Sequence, residues 1–533
     1  MRRGHDARPV DRREGALRAS LLILCPPVAP PEEGLVVRFL AALVHPQLAR
    51  RLAILAVVLV LPSVAIGFHL DDYVHRYMLS SRPGGAELLR VYESPFGIAN
   101  GERADNLWQI EHGYAPWWTH PHLLVSLWRP LSELSHRLDA ALFPDNAPLQ
   151  HLHSLAFFAL LVVLVTRFYR ALFGLTSVAG LAALMYALDH AHGFAVGWIA
   201  NRNAVITAAF GAAALLSYVR ARAAGSTPLT LASAALFGLA LLAGESSVAV
   251  LGYVVGHALF VEQGPLRRRA LSVVPHLFVV VAWRVAYVAL DRGARHSGLY
   301  LDPLSEPLAF ARAALERIPA LVLGQLALPP AEAIMFAPEA LRLPLLLFAL
   351  GFTALFVFAL VPVLRSDPHA RMFAFGALGA LVLACSTHPH NRLLFYVGLG
   401  VMPLLSLAWH ALLERASEGR QVPRLAHVLV AALVGFRLLI SPLLLPLMAC
   451  SVMLTAPAEA GAHSLLAAAA GREVVLVSSP DYFHMKLAPV LAALEAEKAR
   501  EADDFTGPEL PLVKPVVIDE AASPQAGRRF ARN

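Results

Sequence analysis

Two adjacent aspartates, Asp71 and Asp72, follow directly on a long apolar run, where a membrane helix would leave the bilayer. Two histidines, His69 and His75, flank them. A carboxylate at this place could take a proton from a hydroxyl group. If the stretch is helical, Asp71, Asp72 and His75 share a face and could instead ligate a divalent ion. The same residues could also be solvated acids that mark the end of a span, so three interpretations stay open.

Two further ionisable side chains lie inside or between apolar runs. Glu245 is the only charged residue between Arg222 and Glu262. An ionisable group at membrane depth is costly unless it is paired or hydrated, which favours a functional role for Glu245. Arg284 lies within the apolar stretch VVVAWRVAYVAL, where it could extend to the outer surface or bind a lipid phosphate.

The composition places these residues in a multi-pass membrane protein. The chain has 533 residues, of which 57% are hydrophobic and 15% charged, against about 25% charged residues in soluble domains. The net charge of +6 comes from arginines in short clusters between apolar runs, which is typical of cytoplasmic loops and argues against a nucleic-acid partner. The three cysteines, Cys25, Cys385 and Cys450, are too far apart to predict a zinc knuckle or a disulfide framework.

We therefore predict an all-α polytopic membrane protein with about 11 transmembrane helices. Roughly 20 helical residues cross the hydrocarbon core of a bilayer. Eleven runs of suitable length lie at 51–68, 151–170, 177–197, 203–220, 229–244, 246–262, 271–290, 343–364, 370–387, 392–413 and 424–447. A doubtful further run at 309–330 contains Arg312, Glu316 and Arg317, which suit an amphipathic surface helix or a re-entrant segment better.

Arginine-rich loops predict the orientation. They follow the even-numbered spans, at 167–170, 220–222, 265–269, 365–371 and 414–424. By the positive-inside rule these loops are cytoplasmic, so the first span ends outside and an odd number of spans also puts the C-terminus outside. The expected organisation in the inner (plasma) membrane is a disordered cytoplasmic leader at 1–50, a membrane domain at 51–447 with a large first outer loop at 69–150, and a small outer tail at 448–533.

This topology collects the residues able to do chemistry on the outer side. They lie in the loop 69–150, in DHAHGFAVGWIANRN at 189–203 with His190, His192 and Arg202, in the turn at Glu245, in the loop from 291, and in STHPHNR at 386–392 with His388, His390 and Arg392. Scattered polar residues would divide between both faces, so the clustering predicts one site at the outer surface. His190 and His192 are expected to decorate their loop.

The aspartate-rich start of a large first outer loop resembles the GT-C superfamily of membrane glycosyltransferases. Further similar stretches follow in order at 128–161 (beginning WRPL), 184–210 (beginning LMYALDHAHG), 241–250 (LLAGESSVAV) and 390–405 (HNRLLFYVGLGVMPLL). They resemble the transmembrane part of the transmembrane and tetratricopeptide-repeat mannosyltransferases and bacterial relatives of protein mannosyltransferases. The ordered set covers roughly residues 50–410.

The resemblance implies a transferase that moves a sugar from a polyprenyl-phosphate carrier to a lipid, glycan or protein acceptor of the cell envelope. In that superfamily an aspartate of the first outer loop acts as catalytic base or holds a metal, a role that carries over to Asp72 with Asp71 as its neighbour. The expected substrate-binding residues are Arg202, Glu245, Arg284, Arg392, His388 and His390, the arginines meeting the lipid phosphate. A divalent metal ion on Asp71, Asp72 and His75 is the second interpretation.

The sequence also departs from the family pattern. Gly244 stands where the family has the lysine of a lysine–glutamate pair, and DHAHG lacks the family's proline. No tetratricopeptide repeats follow the last span, and the stretches 473–479, 484–502 and 514–519 instead predict a partial βαβ arrangement in a small α/β tail. An inactive family member therefore stays open as an interpretation.

Two other function classes are compatible with the sequence. A lipid or sugar transporter or flippase would use Glu245 and Arg284 for substrate passage, and it would favour an inverted repeat. A non-catalytic assembly partner of a cell-envelope complex would tolerate changes at Asp71, Asp72 and Arg392. No convincing internal repeat is visible in the sequence.

Overall fold

The structure, a computed structural model, describes residues 34–79, 89–111, 114–115, 118–420, 424–457 and 459–460. Most of the predicted outer tail, including its strands and helix at 473–519, lies outside the described residues. The predicted leader lies outside them up to residue 33. In its described part, the proline-free stretch LVVRFLAALV forms a helix that buries Leu43.

The described residues form nineteen α-helices, which we number in chain order. They are α1 Leu35–Val44, α2 Leu48–Val60, α3 Asp71–Leu79, α4 Arg103–Glu111, α5 Pro130–Leu142, α6 Ala147–Phe173, α7 Ser177–Ala187, α8 Gly193–Gly197, α9 Arg202–Ala224, α10 Thr227–Ala243, α11 Ala249–Gly256, α12 Leu266–Ala289, α13 Pro307–Leu326, α14 Ala333–Phe336, α15 Glu339–Ser366, α16 Pro368–Ala384, α17 Phe395–Ser417, α18 Arg424–Gly435 and α19 Ser441–Ala449. Short 3₁₀ and π turns extend or join several of them.

Seven helical segments of the described chain are long and apolar enough to cross a membrane, in agreement with an integral membrane protein. They are Leu48–Ala65, Ala147–Phe173, Ile199–Ala224, Leu266–Ala289, Glu339–Ser366, Phe395–Ser417 and Arg424–Ala449. All seven overlap predicted runs. The other predicted runs are shorter or interrupted, so the count of eleven is not confirmed. Three of these are the shorter apolar helices Thr227–Ala243, Glu245–Val261 and Pro368–Ala384.

The predicted span at 177–197 is interrupted by a buried polar centre. Helix α7 ends at Ala187, a 3₁₀ turn covers His190–His192, and α8 follows. Asp189 accepts hydrogen bonds from the Ala191 amide at 3.0 Å and from Arg437 Nη1 at 2.6 Å. Such irregular backbone is tolerated at membrane depth where protein buries it. The expectation that His190 and His192 decorate an exposed loop is therefore wrong, since both side chains are buried.

A small sheet joins two loops that the sequence places outside. Strand β1 (Gly97–Asn100) pairs antiparallel with β2 (Leu124–Ser126), which pairs antiparallel with β3 (Gly293–Arg295). Strands β1 and β2 belong to the first outer loop, whereas β3 follows α12. The pairing therefore requires both loops to lie on the same side of the membrane, as the topology predicts.

Close packing of small residues brings the central helices together. Gly211 of α9 faces the Tyr396 side chain of α17, and a Cβ at Gly180 of α7 would overlap Leu43 of α1. Small residues at helix contacts let membrane helices approach closely. The core between α2, α6, α7, α9 and α17 is accordingly alanine-rich.

The doubtful segment at 309–330 forms helix α13. Its first half carries Arg312 and Glu316 and is largely exposed, whereas Pro319–Leu326 is buried. The helix is not among the apolar segments that satisfy the length and hydropathy of a span in the described chain. A charged, exposed start and a buried end are typical of a helix that lies at the surface and enters the protein.

Candidate active site

The two aspartates begin helix α3, where acidic side chains suit the positive end of the helix dipole. Asp72 is 2% exposed. Its Oδ2 accepts from the His69 amide at 2.9 Å, and its Oδ1 accepts from the Ala200 amide at 2.6 Å. Burial raises the pKa of Asp72 to about 7, although the two amides favour the ionised form. Asp71 is only half-buried, so its side chain is more accessible than that of Asp72.

The turn before α3 is strained. Leu70 has a φ of 48°, in the left-handed region that a branched side chain rarely adopts. A residue held there costs about 1–3 kcal/mol and persists only where surrounding contacts fix it. The fixing contacts here reach Leu70 itself and the residue before it, because the Leu70 amide donates to Glu459 at 3.2 Å and the His69 carbonyl accepts from Trp198 Nε1 at 3.2 Å.

Glu459 is a functional candidate that the sequence did not reveal. Its carboxylate is 6% exposed and lies 3.0 Å from His69 Nδ1, while His69 Nε2 lies 2.9 Å from the Ile66 carbonyl. Burial lowers the pKa of His69, but the hydrogen bond and charge of Glu459 outweigh burial and raise it overall. Because Glu459 stands in an unremarkable stretch, APAEAG, no local signal could have identified it.

Arg392 lies beside this turn. Its guanidinium carbon is 5.9 Å from the centre of the Trp198 ring, whose Nε1 donates to the His69 carbonyl. Arg392 is half-buried, and no carboxylate within the described ranges forms an ion pair with its side chain. A cation that rests on an aromatic face and keeps its guanidinium N–H groups available suits an incoming phosphate.

The predicted histidines of the last outer loop, His388 and His390, come shortly before Arg392 in the chain. His390 packs on Phe194 with ring centres 4.7 Å apart, and Glu332 accepts the neighbouring Asn391 amide at 2.9 Å. Burial lowers the pKa of His390 to about 3, so this side chain is neutral at physiological pH. Burial and the charge of Arg317 also lower the pKa of His388. Neither histidine supplies a second positive charge for a phosphate.

Glu245 belongs to a second polar group, with partners that the sequence did not identify. Arg129 Nε donates to Glu245 Oε2 at 2.8 Å, and the Tyr287 hydroxyl donates to Oε1 at 3.4 Å. Neither Arg202 nor Arg392 pairs with Glu245 among the described contacts. Arg129 is the arginine of the WRPL stretch, which the family resemblance already highlighted.

Arg284 stands at the edge of this second group. Its Nη2 lies 3.0 Å from Asp302 Oδ2, and its guanidinium carbon is 5.7 Å from the Tyr287 ring centre. Both members of the Arg284–Asp302 pair are more than one-third exposed. Arg284 therefore reaches the surface, which was one of its two predicted arrangements, and a carboxylate already neutralises it.

Arg202 is fully buried and does not face the site surface. It forms an ion pair with Asp139, and it donates to Ser154 Oγ at 2.8 Å and to the Gln150 carbonyl at 2.7 Å. Its partners come from α5 and α6, so the side chain ties the first outer loop to the membrane helices. The expected contact of Arg202 with the lipid phosphate stays a prediction, and its full burial among internal partners favours a structural role instead.

Two of the residues proposed to hold a metal make other contacts. Both Asp72 oxygens accept backbone amides, and the His75 ring packs edge-on against Phe96 and His136. Within the described residues, no group of three or more His, Cys, Asp or Glu side chains is arranged to hold a metal ion. A divalent metal ion on Asp71, Asp72 and His75 therefore stays a prediction.

The two polar groups meet at Phe96. The Arg129 guanidinium carbon lies 5.4 Å from the centre of the Phe96 ring, and the centre of the His75 ring lies 5.3 Å from it. His75 is in the same helix as Asp71 and Asp72. The helix that carries the two aspartates and the Arg129–Glu245 pair therefore both contact Phe96.

No protein-family model and no curated protein sequence matches the chain. Among solved structures, the chain is similar to ArnT from Cupriavidus metallidurans in two states. The apo state has 15% identity, a TM-score of 0.42 and coverage of 83% of this chain and 84% of ArnT. The state bound to undecaprenyl phosphate has 16% identity, a TM-score of 0.38 and coverage of 86% and 80%.

The chain is also similar to the Archaeoglobus fulgidus oligosaccharyltransferase in complex with Zn and sulfate. The identity is 13%, the TM-score 0.41, and the match covers 75% of this chain and 53% of the oligosaccharyltransferase, so the chain spans about half of that protein's length. These neighbours are membrane glycosyltransferases of the GT-C superfamily, the superfamily that the ordered sequence stretches resemble. Because the TM-scores lie below 0.5, these similarities support no statement about the chemistry of the site. That chemistry is inferred from the residues of this chain alone.

The arrangement can perform two complementary tasks. Asp71 places a carboxylate at the start of helix α3. Hydrogen bonds among Asp72, His69 and Glu459 hold the turn that precedes this helix. Arg392 places a cation over the ring of Trp198. A carboxylate can take a proton from a hydroxyl group, and a guanidinium can bind a phosphate.

Proposed function

We propose that the protein is a membrane glycosyltransferase that moves a sugar from a polyprenyl-phosphate carrier to an acceptor at the outer membrane face. The observation that carries the proposal is the contact chain from the aspartate turn through Trp198 to Arg392. A transporter would instead need ionisable groups along a path through the membrane. The buried ion pairs of the described helices, Asp189–Arg437 and Arg202–Asp139, are enclosed by protein and offer no such path.

The burial of the two aspartates favours a reversal of their expected roles. A general base must come within hydrogen-bonding distance of the proton that it removes. Asp72 is 2% exposed and both of its oxygens accept backbone amides, whereas Asp71 is half-buried at the first position of α3. We assign the base to Asp71. Asp72 is then a positioning residue that fixes the start of the helix against the Ala200 amide.

The orientation of the site is part of the proposal. The contact between Glu459 and His69 supports a common side for the C-terminal segment and the first outer loop. The β2–β3 pairing supports the same side for the loop after α12. Together with the positive-inside pattern, these contacts favour an outer site with the C-terminus outside and the N-terminus in the cytoplasm.

Isosteric changes at the two aspartates test the proposal. Asp71→Asn removes the base without changing size, so we expect kcat to fall about 10²- to 10⁴-fold with little change in Tm. Asp72→Asn places an amide N–H₂ against a backbone N–H, so we expect a loss of about 1–3 kcal/mol of stability as well as slower transfer. Profiling of lipid-linked sugars in cells with and without the protein identifies the donor, and transfer is then measured with purified protein in liposomes.

The matched control is Asp291→Asn, an exposed aspartate of another predicted outer loop whose partner is Arg295. It should behave as wild type in both measurements. Transfer at the wild-type rate by a folded Asp71→Asn protein would contradict the proposal. That result would favour a transport or assembly role.

A further inference from the structure

The carboxylate of Glu459 is in hydrogen-bonding contact with donors of the turn and of its own segment. Both of its oxygens lie 3.0 Å from His69 Nδ1, and Oε1 also accepts from the Leu70 amide at 3.2 Å. Thr455 Oγ1 donates to Oε1 at 3.1 Å from one helical turn earlier. Glu459 therefore replaces the hydrogen bonds that water would otherwise make with the start of the turn.

The contact reaches the strained residue of the site. Leu70, with its φ of 48°, lies between His69 and Asp71. On one side the turn is fixed by Asp72, which accepts the His69 amide, and on the other by Glu459. A side chain in this backbone region needs contacts from more than one direction to stay there. Two buried carboxylates provide them, one local and one from the C-terminal segment.

The proposed base follows immediately. Asp71 is covalently attached to Leu70, so a relaxation of φ at Leu70 displaces the Asp71 carboxylate relative to Trp198 and Arg392. A misplacement of about 1 Å can reduce a rate by about 10²-fold. A buried His–Glu pair is a weak source of global stability, because desolvation offsets its attraction. The contact therefore has more influence on the local geometry of the turn than on the stability of the helical domain.

We propose that Glu459 is a positioning residue, and that its contacts with His69 and Leu70 form a latch by which the C-terminal segment holds the catalytic turn in its active geometry. The inference rests on the proposed function for its catalytic consequence. The structural part of the inference, that Glu459 fixes the turn, does not depend on the proposed function. Glu459 touches neither donor nor acceptor, and it acts through Leu70 on Asp71.

A graded pair of variants tests the latch in the full-length protein. Glu459→Gln keeps an oxygen that can accept the Leu70 amide, whereas Glu459→Ala removes every acceptor. Hydrogen–deuterium exchange of the peptide covering 66–79 is measured first, without reference to activity. We expect exchange at the Leu70 amide to rise at least about 10-fold in Glu459→Ala and less in Glu459→Gln, because an amide without an acceptor exchanges from the open turn.

Transfer kinetics supply the second measurement. We expect kcat to follow the same order, falling about 10- to 100-fold in Glu459→Ala, while KM for the lipid-linked donor changes less than about 3-fold, since Arg392 is untouched. Glu102→Gln is the control, because Glu102 is an exposed glutamate of the first outer loop. It should leave both exchange and kcat unchanged.

The outcomes separate the two proposals. Wild-type exchange at 66–79 in a folded Glu459→Ala protein would overturn the latch, whatever the activity. Increased exchange with an unchanged kcat would overturn the positioning role. If the wild-type protein transfers no sugar, the proposed function fails. Increased exchange in Glu459→Ala would then still support Glu459 as the residue that holds the turn.

Discussion

Arg202 and Arg392 lie at the amino ends of two buried helices, α9 and α17, and the two ends differ in how their cation is neutralised. Arg202 is 0% exposed, and Asp139, serine hydroxyls and a backbone carbonyl surround it. Arg392 is half-buried over the Trp198 ring, and no described carboxylate pairs with it. This difference indicates that the partners of an arginine, more than its place in the topology, determine whether it stabilises the fold or is available to bind a ligand.

The largest effect is expected at the internal cation. Arg202→Met leaves Asp139 as a buried carboxylate without its guanidinium, which typically costs about 3–5 kcal/mol. We expect a pronounced fall in Tm or a loss of folded protein, measured by thermal unfolding in detergent. The double variant Arg202→Met/Asp139→Leu should recover much of the loss, because no unpaired charge then remains.

The opposite result for the Arg202→Met protein would contradict the comparison. A folded Arg202→Met protein with the wild-type Tm, but with weaker binding of polyprenyl phosphate, would place this arginine among the ligand-binding residues. In that case its burial would describe a closed state of the site.

An intermediate effect is expected at Arg392. Charged hydrogen bonds contribute about 1.5–3 kcal/mol, so Arg392→Ala should weaken the binding of polyprenyl phosphate about 10- to 100-fold. Tm should change little, because the side chain has no internal carboxylate partner within the described ranges. Binding is measured by titration of the purified protein, with Arg392→Lys as the variant that keeps the charge and loses the planar guanidinium.

Arg392 would lose its assigned role if the alanine variant bound polyprenyl phosphate normally. A fall in Tm without a change in binding would make Arg392 a second structural arginine. Arg202 and Arg392 would then differ only in how much each contributes to the stability of the fold.

The smallest effect is expected at Arg284, which sharpens the comparison from a third position. Its pair with Asp302 is partly exposed, and such pairs contribute about 0.2–1 kcal/mol. Arg284→Gln should therefore change Tm and transfer only slightly, with the transfer rate within about 3-fold of wild type. A loss of donor binding as large as that of Arg392→Ala would instead reveal a second phosphate contact beside Glu245.

The long apolar spans could be predicted from sequence because hydropathy over about 20 residues needs no partner to be recognised. The span at 177–197 could not, since its interruption depends on Arg437 and Gln325, which are distant in sequence from Asp189. The same reason explains why Glu245 was recognised as unusual while its partner Arg129 was missed. Sequence shows which groups can ionise, whereas the fold decides which of them meet.

The aspartate turn shows the same limit at a finer scale. The position of Asp71 and Asp72 at the membrane edge follows from the preceding apolar run. Which of the two is accessible depends on the Ala200 amide, and the strain at Leu70 depends on Glu459. Neither contact leaves a periodicity or a motif in the sequence, because single long-range hydrogen bonds do not constrain neighbouring residues.

The distance in sequence between His69 and Glu459, 390 residues, has a consequence for biosynthesis. Ribosomes add about 5–20 residues per second, so roughly 20–80 s pass between the synthesis of the two residues. Throughout that interval the nascent chain has its aspartates but lacks the carboxylate that secures them. A product that terminates before the last helix keeps the first outer loop and never acquires Glu459. Under the proposed role of Glu459, a prematurely terminated chain therefore lacks the contact that holds the turn.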